Sequence, residues 1–355
     1  MGARTLASRV VEVLAHGPGR VNLIGEHTDY NDGLCLAFAI ERGVTVRAEA
    51  TFDGRVFVHS SSLGEDDIFA AARPAPTGPG DWRAFVRGMV AELRAEGLTL
   101  SGARLRIDSD LPQGAGLASS AALSSALALA LIALGQVRLD DPLDLARLCS
   151  RVEHDWVGAQ TGLLDQLTAL CGREGHALAL DLRALSLQHV PLRLGEWRLV
   201  TLDSGARHAN AASGYNQRRL ECTHATRMLE RQSLRDATLE DAEALPEPLS
   251  RRVRHVVTEN ARVREAVAAL RAGDLAQVGR LLDASHASLR DDFEVSVPEV
   301  EETVALLHGI GAAGARMIGG GFGGSVLALL PPGVRPPARS LQVAPADAAR
   351  LVTPV

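Results

Sequence analysis

The chain has 355 residues, 46% of them hydrophobic, with a formal net charge of −6, enough to bury a large core and to suggest two domains. Its acidic balance gives no basic field, which argues against nucleic acid and anionic membrane surfaces as partners. All 37 cationic side chains are arginine, which excludes a Walker-type P-loop and a protein kinase site, since both rely on a lysine against phosphate.

The first twenty residues lack an uninterrupted apolar run followed by a small-residue cleavage site, so no export signal is expected. Cys35, Cys149, Cys171 and Cys222 show no paired spacing, hence neither a zinc knuckle nor a disulfide framework, and a reducing cytoplasm fits. Gly17–Gly33, GPGRVNLIGEHTDYNDG, reads as a glycine-flanked loop anchored by a short strand at Val21–Ile24. Arg20, Glu26, His27 and Asp29 stand on it, either as a solvated turn with a local ion pair or held toward a ligand. From Leu34 to Val58 two strands are expected, with turns at Arg42-Gly43 and Asp53-Gly54.

Residues 71–80, rich in Pro and Gly, read as a surface connection ending at Asp81. From Trp82 to Glu96, apolar residues at Trp82, Phe85, Val86, Met89, Val90 and Leu93 have the spacing of one helix face. Trp82 fits a core position or the wall of a nucleotide base site. A strand through Leu105 and Ile107 leads to LPQGAGLASSAALSSALALALIALG, Leu111–Gly135. Here a glycine loop runs into a helix expected from Leu117 to Leu134, apolar nearly all round and therefore buried, with Gly135 as its stop. The serines in its first half argue against a membrane span. Gly114 and Gly116 permit backbone conformations closed to other residues, and Ser119 and Ser120 fall in the first helical turn, so this is an anion site.

Pro142–Val157 reads as helical and carries Glu153, and a glycine-containing turn separates it from Asp165. Two carboxylates so placed fit holding Mg²⁺ and orienting or deprotonating a hydroxyl, while Asp165 equally fits the cap of a helix starting at Gln166. Leu178–Leu182 and Leu199–Leu202 read as strands of a continuing sheet, and Tyr215 opens a helical region from Asn216 to Leu289. Arg251, Arg252 and Arg254 there read as a solvated face, and a last helix is expected from Pro298 to Leu307. Gly319, Gly321 and Gly324 match G-x-G-x-x-G, but a β-type run follows them instead of a helix, so a glycine-turn hairpin is expected, not a dinucleotide fold. Ser340–Val343 reads as a terminal strand.

Together GRVNLIGEHTDYNDG, LPQGAGLASSAALSSA and ARMIGGGFGGS resemble the three signature motifs of galactokinases, within the GHMP kinases, and the likeness runs from about Gly17 to Leu330. The resemblance implies an α+β fold of two domains. The N-terminal one, about 1–185, is like ribosomal protein S5 domain 2, and the C-terminal one, 186–355, is ferredoxin-like and completes the cleft. It implies sugar-binding roles for Glu26, His27, Asp29, Gly162 and Tyr215, with Arg20 and Asp165 at the reacting hydroxyl. It further implies that Gly114, Ala115, Gly116, Leu117, Ala118, Ser119 and Ser120 cradle the phosphates of ATP, with Trp82 at the base and Ser120 and Glu153 on Mg²⁺. The implied reaction makes α-D-galactose 1-phosphate from galactose and ATP, in a cytoplasmic monomer with no nucleic acid or membrane partner. A kinase for N-acetylgalactosamine, galacturonate or arabinose, or a non-catalytic sensor, is the alternative. Two positions depart from the family pattern: Asp32 replaces a glycine beside the sugar site, and Ile318 replaces a threonine near the phosphates.

Overall fold

The computed structural model describes residues 12–352 apart from 79, 113, 136, 160 and 208–210, and gives no side-chain environment for 207, 211 and 212. The stretch in which an export signal was sought therefore lies mostly outside the described residues. The chain forms two β-sheets clothed by helices, as the α+β expectation requires. The larger sheet has the order β12-β1-β2-β5-β3-β4 and continues from β2 into β6 and β7. Its strands are β1 (Glu12–Ile24), β2 (Leu34–Ala50), β3 (Arg55–Ser60), β4 (Glu65–Ala70), β5 (Ala103–Ser109), β6 (His176–Asp181), β7 (Ser186–Pro191) and β12 (Arg350–Val352). Among the described residues, only β3 and β5 pair in parallel.

Two local expectations are corrected here. Gly17–Ile24 is part of one long strand, so Arg20 stands on β1 and not in a loop. The chain also passes Arg42-Gly43 without turning, because shifts of register at Pro18/Arg20 and Asn22/Ile24 let β1 follow a continuous β2. β2 then serves two neighbours, pairing through Leu34–Ala37 with β6 and through Val44–Ala50 with β5.

The helix after the glycine loop, α2 (Ser119–Gly135), lies on β1 and β2. Its small residues have a packing reason. A β-carbon at Gly17 would stand 2.5 Å from Ser125 Oγ and would also meet the carbonyl of Ala122, so helix and strand touch backbone to backbone. Gly135 is the last helical residue instead of a stop beyond it, and a side chain there would run into Leu98. Around α2 stand α1 (Trp82–Ala95), capped by Asp81 and burying Phe85, Val86, Met89, Val90 and Leu93, and also α3 (Pro142–Arg151) and α4 (Leu164–Cys171). Among the described residues no helix is long and apolar enough to cross a membrane.

The second sheet, β11-β8-β10-β9, corrects the expected continuation: β8 (Arg198–Arg207) leaves the first sheet and pairs with β10 (Gly323–Leu330) and β11 (Leu341–Val343), with β9 (Gly314–Met317) at the edge. β9 and β10 form the expected glycine-turn hairpin. Helices α5 (Ala211–Met228), α6 (Leu239–Glu243), α7 (Leu249–Ala272), α8 (Leu275–Asp291) and α9 (Pro298–Gly309) accompany this sheet. The larger sheet does not end at residue 185, since β7 belongs to it and β12 returns to pair with β1.

Helix α7 is less solvated than its arginines suggest. Arg252 is 1% exposed, because its guanidinium donates to Glu221 at 2.6 Å, to Glu294 at 2.7 Å and to the Asp292 carbonyl at 2.5 Å. Further along the same side of the helix, α7 grips the segment joining β1 to β2 and the start of β2. The Gly25 N–H donates to Glu259 at 2.9 Å, the Leu34 N–H donates to Asn260 at 2.7 Å, and His255 Nε2 donates to the Glu26 carbonyl at 3.1 Å. Burial lowers His255 from 6.5 to about 4, so it stays neutral in the fold. A histidine depressed in this way contributes stability that is full above pH 6.5 and is lost as the pH falls toward 4, where the unfolded chain binds the proton first. We expect the thermal midpoint to fall across that window and His255→Gln, which keeps a donor but cannot titrate, to flatten the fall; calorimetry at stepped pH reads both slopes.

Candidate active site

A cavity of about 140 Å³ opens where the β1–β2 segment, α4, α5 and the glycine hairpin meet. Arg20, Glu26, His27, Asp29, Gly162, Asp165 and Tyr215 all line it, together with Thr161, Leu164, Gly319 and Gly320. The sequence spreads these groups over three hundred positions. A larger cleft of about 750 Å³, bounded by Arg42, Asp110, Glu174 and Arg350, contains none of them.

Arg20 is 8% exposed and meets Asp165 as a fork, Nε to Oδ1 and Nη2 to Oδ2, each at 2.6 Å. Burial opposes its charge, but the Asp165 carboxylate more than compensates and raises the guanidinium above its ordinary value. Its third group, Nη1, donates to the Gly116 carbonyl at 2.5 Å, and its backbone N–H donates to the Leu117 carbonyl at 3.1 Å. One side chain thus ties the carboxylate to the glycine loop. Asp165 sits in the first turn of α4 without capping it, which removes the capping alternative.

Asp29 lies against Gly162, where any β-carbon would collide with its carboxylate. Burial, reinforced by the charges of Asp165 and Glu26, pushes Asp29 up to about 6. Glu26 Oε1 accepts from the Gly319 N–H at 2.8 Å and stands 3.1 Å from Arg316 Nη2. His27 occupies the left-handed region at φ +61° and is 3% exposed. Its Nδ1 is 2.9 Å from the Tyr30 hydroxyl, and its ring lies 5.5 Å from that of Tyr215 and 4.7 Å from that of Phe293.

Glu153 stands on a π-helical turn, Val152–Val157, that continues α3. It is 2% exposed, accepts from the Thr161 hydroxyl at 2.6 Å, and is pushed up to about 7, chiefly by burial. A buried carboxylate short of positive charge fits a cation site. Among the described residues no three His, Cys, Asp or Glu cluster as a metal cage, and Mg²⁺ bound along with a nucleotide needs only one or two carboxylates besides phosphate oxygens.

The glycine loop presents left-handed residues at Gly114, Gly116 and Ala118, with φ of +69°, +71° and +54°. Ser119 and Ser120 open α2 and are exposed. They line a second cleft of about 420 Å³ with Trp82, Phe85 and Leu63, so Trp82 faces the same space as the serines while its indole N–H donates to Glu65 at 2.9 Å. The two glycine clusters touch: a β-carbon on Gly116 would lie 3.3 Å from the Ile318 carbonyl. Asp32 adopts the left-handed turn at φ +55°, its carbonyl accepting from Arg235 at 2.8 Å. Ile318 is 2% exposed and belongs to the core.

Several groups escaped the sequence reading. Arg316, wholly buried on β9, donates to the carbonyls of Asn22 and Leu23 at 3.0 and 2.9 Å and faces Glu26; the signal for it was a lone charge in the otherwise uncharged strand GARM. His255, Glu259 and Asn260 lie on one face of α7 at positions i, i+4 and i+5, a periodicity that shows a shared face but not what it meets. Tyr30 gave no signal beyond its place in the first motif, and Thr161, outside all three motifs, gave none.

The chain matches the galactokinase galactose-binding signature over residues 7–49, the GHMP kinase N-terminal domain over 84–173 and the GHMP kinase C-terminal domain over 266–342. It is 44% identical to a galactokinase of Roseiflexus sp. (strain RS-1) over 328 residues, covering 90% of this chain and 83% of that protein. It is 42% identical to a galactokinase of Streptomyces coelicolor over 322 residues, 88% of this chain and 83% of that one. The crystal structure of Lactococcus lactis galactokinase complexed with galactose superposes with a TM-score of 0.89 at 31% identity, covering 96% and 95% of the two chains. A mevalonate kinase shares the fold, with a TM-score of 0.67 at 17% identity. By sequence and by architecture the chain belongs to the galactokinase family of the GHMP kinases.

Proposed function

We propose that the protein transfers the γ-phosphoryl group of ATP to the C1 hydroxyl of α-D-galactose, giving α-D-galactose 1-phosphate and ADP. The observation that carries this reading is the convergence of Arg20, Glu26, His27, Asp29, Gly162, Asp165 and Tyr215 on one small cavity joined through Arg20 to the glycine loop. A hexose presents many hydroxyls. Carboxylates, an imidazole and a phenol around it leave unpaired groups when an epimer binds, and unpaired buried groups reject strongly.

In this reading Asp165 takes or orients the C1 hydroxyl proton, and Arg20 holds the carboxylate while offsetting charge on the transferring phosphoryl group. Backbone from Gly114 to Ser119 and the start of α2 hold the phosphates, and the base lies in the cleft walled by Trp82. Ser120 and Glu153 would hold Mg²⁺ with the nucleotide. When bound, that ion neutralises charge on the phosphate oxygens. Residues 1–185 carry most of these groups, and 186–355 complete the cleft with Tyr215 and the glycine hairpin. One chain supplies the whole set, which supports action as a monomer, and four free thiols at Cys35, Cys149, Cys171 and Cys222 suit a reducing cytoplasm.

Purified protein with Mg-ATP and a panel of hexoses tests the assignment. Galactose is expected to stimulate ADP release most; no stimulation by galactose overturns it, and a preference for N-acetylgalactosamine, galacturonate or arabinose redirects it. Asp165→Asn is expected to lower kcat by about 100-fold or more while calorimetry still detects galactose binding. Arg316→Lys keeps a charge but loses the planar fork that spans two carbonyls and Glu26. Its galactose KM is expected to rise about tenfold, with the KM for ATP unchanged. Asp29 is held near 6, so its ionised form costs the fold stability above that pH, and the neutral form is favoured below it. Asp29→Asn is therefore expected to raise the thermal midpoint at pH 8 and to weaken galactose binding, both readable in one melting experiment with and without sugar.

A further inference from the structure

The structure places a second tyrosine behind the sugar cavity, and its bond has a direction that matters. Tyr30 lines no part of the cavity. Its ring meets those of His27 and Tyr215 edge-on, at 5.9 and 5.7 Å, and it packs against the core of the second domain. Its hydroxyl is 2.9 Å from His27 Nδ1, the one hydrogen-bond partner it has among the described residues. His27 Nε2 is buried and has no partner among those residues, although the residue lines the cavity.

We propose that Tyr30 is a positioning residue that fixes the tautomer of His27: its hydroxyl donates to Nδ1, so the ring proton stands on Nε2 and His27 offers the sugar a donor. The inference rests on the galactokinase reading above and adds the polarity of one contact. Three observations support it. The imidazole is neutral, since burial first, then His255 and the Arg316 guanidinium, hold it well below its ordinary range; only one ring nitrogen carries a proton. Burial likewise pushes the Tyr30 phenol up, so it keeps its proton to give. If Nδ1 carried the ring proton instead, that phenolic proton would have no acceptor among the described residues. The sugar atom that meets His27 is therefore an oxygen acting as acceptor. The carboxylates nearby take the donors.

The left-handed backbone of His27 serves the same end. It turns the ring so that one nitrogen meets the motif's own tyrosine three residues on, and the Asn31 amide holds the His27 carbonyl at 2.8 Å. The orienting partner is thus delivered by the same short segment as the imidazole.

The test uses the full chain with ¹⁵N-labelled histidine, and His27→Gln assigns the resonance. Galactose-stimulated ADP release is measured first on the unaltered protein, so failure of the kinase reading is seen separately from failure of this one. Long-range ¹H–¹⁵N spectra are expected to show His27 as the Nε2-protonated form. In Tyr30→Phe, which keeps the ring, the signature should move toward a mixture of tautomers. Galactose KM should rise about three- to tenfold, as for loss of one hydrogen bond, with kcat, the KM for ATP and the melting temperature nearly unchanged. A wild-type spectrum showing protonated Nδ1, or a Tyr30→Phe protein with an unaltered His27 signature and galactose KM, overturns the proposal.

Discussion

The contact on which the rest depends is the forked ion pair between Arg20 and Asp165. A guanidinium with 8% exposure in the middle of a strand is sustainable only if each of its faces finds an acceptor. Asp165 takes one face and the Gly116 carbonyl another, so strand β1, helix α4 and the glycine loop are fixed to one another by a single side chain. As a stabilising device such a pair is poor, since well-packed apolar residues of similar volume often do as well or better. Removing one partner alone costs about 3–5 kcal/mol, because a bare charge is left inside. A pair that is expensive to break and gains little stability is what the roles proposed above for Arg20 and Asp165 would account for.

The same logic extends across the two halves of the chain. The segment between β1 and β2 cannot satisfy its own backbone, and buried backbone groups must be paired. Glu259 and His255 take Gly25 and Glu26 there, Asn260 takes Leu34 at the start of β2, and Arg316 takes the carbonyls of Asn22 and Leu23 at the end of β1. Glu259 itself is wholly buried and accepts from Gly25, Ser285 and Arg262, which with nearby positive charge brings it down to about 2 despite burial. The cavity-facing loop is thus a loop only in its own half. Seen with α7 and β9 it is a held element, and its groups stand in fixed directions because charged and polar side chains 226 to 294 positions away hold them.

Much of this could be read from the residues. Periodicity located α1, the apolar surround of α2 and the turn between β9 and β10, because each follows from local spacing. The glycine loop and the paired carboxylates Glu153 and Asp165 were visible as chemistry, and the family likeness collected the remaining cavity residues. What stayed hidden was non-local. Arg20 read as a loop residue because the register shifts that extend β1 depend on its partner strand. Arg42-Gly43 read as a turn because glycine after a charged residue usually ends a strand, and only the double service of β2 shows that it does not. Arg252 read as solvated because a helix surface says nothing about Glu221 and Glu294, which arrive from other elements. β8 was assigned to the wrong sheet for the same reason, since strand propensity carries no information about which neighbour a strand will choose.

The π-helical turn at Val152–Val157 has an implication for how this enzyme can vary. In that turn the Gly158 N–H reaches back to the Glu153 carbonyl, five residues away instead of four, so the segment holds one more residue than an ordinary helix of the same rise. An exposed side chain along it, such as Asp155, can be exchanged for another, but the tally of residues cannot. Shortening the stretch by a single codon would return it to regular winding and swing Glu153 about a quarter of the way round the axis, away from the Thr161 hydroxyl it accepts from. Insertions and deletions are therefore barred from this helix end even at the exposed Asp155, where substitution is not.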